Sequence, residues 1–283
     1  MKCASNTLKS ELIDLTSDNE QQIREKDLDP LIKKMMNHIG SPDSELRDTL
    51  IYSTFGKLIL EDYLTHQQMQ YIIETCLNDQ YLFLNIGVLN EDTVFTRSFS
   101  ALTIALILAK DRETHFLSED TLFTAIESSI NYLVKEEDIR GYIEIKGWAH
   151  SIAHGADLLT AAIKHPLFPN RLANKCLYTI GVCLFKAGSF IDEEEERLID
   201  VLEALFDKGM EEAIIETWML TLESDLTIKL NQEGETLSFF RTKTNIHHFL
   251  KALYFRLLIR NSNRNSRNMI EAILERRHNG TAL

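Results

Sequence analysis

Eleven glycines and four prolines in 283 residues leave this chain few places to turn. Together they make up about 5% of the sequence, against roughly 12% in an ordinary soluble domain. Sandwiches need a turn signal every ~8–12 residues, so this scarcity excludes most β-sandwich and barrel folds. It also excludes collagen-like and linker-rich chains. Long helices remain, and the apolar residues recur at helical spacing. Ser41-Pro42 places a cap and an N1 proline ahead of Leu46, Leu50, Phe55 and Leu58. Thr65 and Gln68 read as a capping box before Met69, Ile72, Ile73 and Cys76. The same logic predicts further starts near Asp92, Ser118, Lys146, Pro169, Asp192, Lys208, Thr236 and Asn263. Strand alternation is confined to two short ambiguous runs, residues 81–89 and 141–145. The expectation is an all-α chain of about ten helices forming one domain over residues 1–283.

Helix pairs then recur about every 45–50 residues, the period of a helical solenoid. Residues 31–59, LIKKMMNHIGSPDSELRDTLIYSTFGKLI, resemble a HEAT repeat: an apolar helix, a Pro-Asp turn, then Leu46-Arg47 opening a second helix. EDTVFTRSFSALTIAL, residues 91–106, is a weaker copy. The resemblance implies a HEAT-like right-handed α-α superhelix. A closed α/α toroid is the alternative with the same spacing.

The formal charge is −13, and it is unevenly spread. The last 44 residues, 240–283, carry nine Lys/Arg against Glu271 and Glu275, or +7, which leaves −20 for the rest. An acidic protein of this kind is not coated with nucleic acid. The basic C-terminal helical segment, with Arg256, Arg260, Arg264 and Arg267 at helical spacing, has two readings. It docks on its own acidic body, or it binds anions such as nucleic-acid phosphates. The DEEEE run at 192–196, like Glu211-Glu212, sits where a helix begins and opposes its dipole; a cation or basic-partner site is the alternative. No apolar run reaches the ~20 residues of a membrane span, and the N-terminus turns amphipathic at once. The expected location is the cytoplasm. Cys3, Cys76, Cys176 and Cys183 form no paired motif, and the last three read as buried reduced thiols.

The densest cluster of chemistry-bearing residues is DIRGYIEIKGWAHSIAHGADLL, residues 138–159, which holds three of the eleven glycines. Read as a helix, it puts Trp148, Ile152, Ala156, Leu159 and Ile163 on one side. His150, His154 and Asp157 then fall at i, i+4 and i+7, nearly opposite. Three readings follow. Two imidazoles and a carboxylate could ligate a divalent metal. A metal-dependent hydrolase would then need a separate base such as Glu144, because Ala149 stands where zinc proteases carry glutamate. Alternatively, Arg97, Arg140, Glu144, Trp148, His150, His154 and Asp157 line a groove for a protein or a small polar ligand. In the third reading the histidines bond to neighbouring carbonyls and nothing is bound. Arg97, on a strongly apolar helix, needs a partner, with Asp92, Glu91 or Asp157 the candidates.

GWAHSIAHGADLL after the run R-G-Y-x-E-x-K-G, together with EDTVFTRSFSAL, resembles an uncharacterised bacterial family of unknown function. The resemblance spans roughly residues 30–220. It implies an all-helical cytoplasmic protein with no established activity, so a binding or scaffold module without a resident cofactor is the leading expectation.

Overall fold

The computed structural model describes residues 2–278, and side chains for residues 7–276; the Cys3 and Arg277 side chains lie outside these. Among the described residues the fold is all-α with 13 α-helices, more than the expected ten because residues 2–38 form three. Its contacts divide it into two compact units, Met1–Leu167 and Phe168–Leu283.

The first unit comprises α1 (Lys2–Ser17), α2 (Glu20–Arg24), α3 (Asp29–His38), α4 (Ser53–Leu60), α5 (His66–Cys76), α6 (Thr93–Thr114), α7 (Glu119–Lys135) and α8 (Ser151–Lys164). A π-helical segment, Glu45–Tyr52, runs directly into α4. The sequence punctuation works where it is local. Thr65 and Gln68 form the expected capping box on α5, and Ser118 caps α7 through the Thr121 amide. The run 81–89 is a series of turns.

Helix α6 is the centre of this unit, packed against α4, α5, α7 and α8. It is long and apolar enough to cross a membrane by length and composition, and burial on all sides accounts for that apolarity. Its hydroxyls are absorbed within the helix: Ser100 and Thr103 donate to the carbonyls of Thr96 and Phe99. Helix α8 lies against α6 and α7. Gly155 permits the approach to α7, because a Cβ there would sit 2.6 Å from Leu133 Cδ2 and 2.7 Å from Tyr132 Cε1.

Between α7 and α8 the expected helix start near Lys146 gives way to a two-stranded hairpin. Strand β1 (Tyr142–Ile143) pairs antiparallel with β2 (Gly147–Trp148), Tyr142 opposite Trp148. Ile145, Gly147 and His150 all have left-handed φ, at +70°, +76° and +46°. Three such residues within six cannot lie in a right-handed helix, so α8 begins only at Ser151.

The second unit opens with a short 3₁₀ turn at Asn170–Leu172, followed by α9 (Ala173–Leu184), α10 (Glu194–Asp207), α11 (Glu212–Glu233), α12 (Leu237–Ile259) and α13 (Arg264–His278). Helix α12 starts at Thr236, whose hydroxyl accepts from the Phe239 amide. It packs against α10, α11 and α13. The acidic run does open α10, with Glu194, Glu195 and Glu196 in its first turn. Glu194 is buried, accepts from the Ile191 and Asp192 amides, and is pushed above its ordinary pKa by that burial. Cys76, Cys176 and Cys183 are buried free thiols as expected. Burial raises the pKa of Cys76 and pushes that of Cys176 up to about 12, which keeps both protonated and unreactive.

Candidate functional site

The segment 138–159 is built on a buried ion pair. Arg97 from α6 is wholly buried and donates Nε to Glu136 Oε2 at 2.6 Å and Nη2 to Oε1 at 2.9 Å. Its remaining nitrogen donates to the Leu84 carbonyl at 2.9 Å and Thr93 Oγ1 at 3.1 Å. The partner is therefore Glu136, the C-cap of α7, and not Asp92, Glu91 or Asp157. In the sequence Glu136 stands in the run Lys135–Asp138, which carries no local sign of burial, yet Glu136 and Asp138 are both buried. With every donor directed inward, Arg97 positions the loop and lines no groove.

From Glu136 the bonding passes along the chain. Its carboxylate accepts from the Asp138 amide at 2.9 Å. Asp138, also buried, accepts from Arg140 Nε at 2.7 Å, Arg140 Nη2 at 2.6 Å and the Asn90 amide at 3.0 Å. Arg140 reaches on to the Glu91 carbonyl at 2.8 Å, so it too serves the loop. The Asp138 carbonyl accepts from Ser151 Oγ at the start of α8.

Arg47, which sequence reasoning treated as one letter of a repeat motif, grips the hairpin from beneath. It sits in the π-helical segment, fully buried. Its Nη2 donates to the Lys146 carbonyl at 2.7 Å and the Trp148 carbonyl at 3.2 Å, and its Nη1 to the Ser41 carbonyl at 2.6 Å. The guanidinium stacks over Phe95 and Phe99 at 4.1 and 4.9 Å and pairs with Asp48 at 2.8 Å. Burial lowers the Arg47 pKa and raises that of Asp48. Lys146 closes the outer side by pairing with Asp92 at 2.7 Å. Ala149 is buried with Val94 and Phe95, and Ile143 packs on that cluster.

What this scaffold holds outward is a ladder of rings. Tyr142 meets Trp148 edge to face at 4.9 Å, and Trp148 stacks on His150 at 4.3 Å. His150 meets His154 at 5.7 Å, and His154 meets the buried Phe99 at 5.1 Å. The outer end is open: Tyr142 is 58% exposed, Trp148 39%, and Ile145 at the hairpin tip 91%. Glu144 is exposed beside it, and His150, His154 and Asp157 are half-buried.

The structure thus redraws the expected helical face. Trp148 is a strand residue and not part of the α8 apolar stripe. His150 is the left-handed residue preceding α8, so only His154 and Asp157 keep helical spacing, at i and i+3. His150 and His154 do come together, as neighbouring rings. Among the described residues, His150, His154 and Asp157 do not converge as a three-ligand metal group.

The C-terminal arginines divide. Arg256 donates to Glu196 and Glu203 at 3.1 Å and pairs with Asp200 at the same distance, and Arg260 lies 3.4 Å from Glu203. Both are spent on α10. Arg264 is exposed and Arg267 half-buried at the start of α13.

A family model described as "Protein of unknown function (DUF2785)" matches residues 82–255. The match begins and ends later than the expected 30–220 and leaves the HEAT-like stretch 31–59 outside it. It takes in both quoted blocks, with Arg97, Glu136 and the whole ring ladder. Neither the curated proteins nor the solved structures contain a match.

Proposed function

The chain belongs to the DUF2785 family of proteins of unknown function, and we propose that it is a helical binding module whose contact surface is the 142–148 hairpin with its ring ladder. One observation carries this reading: the most exposed large apolar side chains of the segment stand on its most firmly held backbone. Tyr142, Ile145 and Trp148 gain nothing for folding by facing water. Arg47, Asp138 and Lys146 nevertheless spend buried or paired polar groups on keeping their loop in one conformation. Preorganised aromatic anchors of this kind lower the entropic cost of association and are what binding hot spots are made of. His150 and His154, deeper in the ladder, add donors and acceptors for polar groups of a protein or small polar ligand. The HEAT-like reading of the helix pairs belongs with this proposal, since helical-repeat arrays commonly act as scaffolds.

The test is site-specific crosslinking. A photoreactive residue at position 145 is expected to capture a defined partner in cells. Trp148→Ala is expected to cut that capture at least tenfold without changing the thermal unfolding midpoint by more than a degree or two. Capture unaffected by Trp148→Ala, or no capture at all, overturns the proposal.

A further inference from the structure

The second unit contains a cleft that nothing above uses. It is an open groove of about 410 Å³ between α9 and α11. Each helix turns one face into it over three turns, α9 with its C-cap from Asn174 to Phe185 and α11 from Ile214 to Asp225. The floor is apolar, with Leu177 and Leu222 almost fully buried. Aromatic walls rise from it: Trp218 and Phe185 within, and Tyr178 at the lip, 63% exposed.

Three features specify what would fit. Asp225, exposed at the edge of the cleft, is the one charged residue lining it, and among the described residues its only evident partner is water. The wall therefore offers a carboxylate and π-faces together, and no lysine or arginine competes for them. Gly181 stands in the middle of α9 where the space is. A Cβ there would meet Leu222 Cδ2 and Trp218 Nε1 at 3.5 Å, an ordinary contact. Packing within the unit thus does not require glycine, although glycine weakens a helix interior; its effect is to leave the cleft open. Finally, the volume lies in the range of small-molecule sites, and apolar walls with few polar groups are their usual character.

We propose that the α9–α11 cleft binds a small amphipathic cation, an aliphatic or aromatic body bearing one ammonium group. The body lies over Leu177, Gly181 and Leu222 against the Trp218 ring, and the ammonium is held by Asp225 and the aromatic faces. A cation over an indole or phenol face and beside a carboxylate is favoured by both. An anion of the same shape is repelled by Asp225.

The chain has two tryptophans, so Trp148→Phe leaves Trp218 as the only indole and as a reporter inside the cleft. That protein is titrated with octylammonium, octanol and octanoate. The expected result is a saturable Trp218 emission change with octylammonium at least threefold tighter than octanol, and octanoate weakest. Asp225→Asn is expected to bring the ammonium and the alcohol within twofold of each other. Gly181→Leu is expected to abolish the change while leaving the helical circular dichroism intact, and Gly181→Ala serves as the folded control if the leucine variant fails. No saturable change with any probe, equal affinity for all three, or an undiminished preference in Asp225→Asn overturns the proposal.

Discussion

Arg97 is a charged residue wholly buried on the central helix of the first unit, and its burial is tolerable only because Glu136 meets it with two bonds of 2.6 and 2.9 Å. Two desolvated charges contribute little net stability as a pair, but removing one strands the other. Arg97→Ala or Glu136→Ala is therefore expected to lower the unfolding free energy by about 3–5 kcal/mol, measured by urea denaturation. The double change Arg97→Met/Glu136→Leu is expected to cost less than the two single losses added together. A loss below ~1 kcal/mol in both single variants contradicts this account of the pair. Glu136 also takes the Asp138 amide, so the damage is expected to reach the hairpin. Arg47 shows the same economy from the other side, one guanidinium serving three carbonyls and two aromatic faces.

Helix packing turns on two glycines that look alike in the sequence. Both sit inside apolar helical runs, Gly155 in α8 and Gly181 in α9. At Gly155 a Cβ would press on Leu133 and Tyr132 at 2.6–2.7 Å, closer than packed atoms come. At Gly181 the nearest atoms stand at 3.5 Å. Alanine has the better helix propensity at both positions, by ~1 kcal/mol. Gly181→Ala is accordingly expected to raise stability by about 0.5–1 kcal/mol. Gly155→Ala is expected to lower it by about 1–3 kcal/mol through overpacking against α7. Thermal melts of the two variants give opposite signs if this is right, and a gain at both positions refutes the close contact at Gly155.

At the scale of the whole molecule the uneven charge is partly settled within units. Arg256 and Arg260 are drawn to Glu196, Asp200 and Glu203 of α10, which favours self-docking for that part of the basic segment. In the first unit Lys9 of α1 pairs with Asp43 at 2.7 Å and Glu45 at 2.6 Å. Burial alone would raise the Asp43 pKa, but the Lys9 ammonium and the Leu46 amide hold it below the ordinary value. A carboxyl depressed on folding contributes stability above its unfolded pKa and loses it as pH falls through its folded pKa. The pair is half-buried and still reached by solvent, so its contribution is about 0.2–1 kcal/mol. Lys9→Met is expected to cost that amount near pH 7. The difference from wild type is expected to shrink as the pH falls below the ordinary aspartate range, read from urea midpoints at successive pH values. A difference that grows with acid refutes the assignment.

Periodicity and capping are local properties. Scarce breakers, 3.6-residue spacing and the Thr65, Ser118 and Thr236 caps sufficed to specify an all-α chain and most of its helix starts. That residues 138–159 depart from the plain helical pattern was legible in the same way, from glycines concentrated beside histidines and a tryptophan. The form of that segment was legible only in part: the short strand run 141–145 contains β1, while residues 146–150 read as the start of a helix. Its apolar residues suit a helix face, and only the left-handed backbone at Ile145, Gly147 and His150 converts it into a hairpin. Neither isoleucine nor histidine announces such a conformation, which persists because Arg47, ninety-nine residues from Lys146, bonds the carbonyls the hairpin turns inward. The Arg97–Glu136 pair and the α9–α11 cleft have the same origin. The sequence by itself determined that the chain would be helical and where most of its helices start. Tertiary structure decided which buried charges meet, which glycines are crowded and which rings face water, because those outcomes depend on contacts between distant residues that no local pattern encodes.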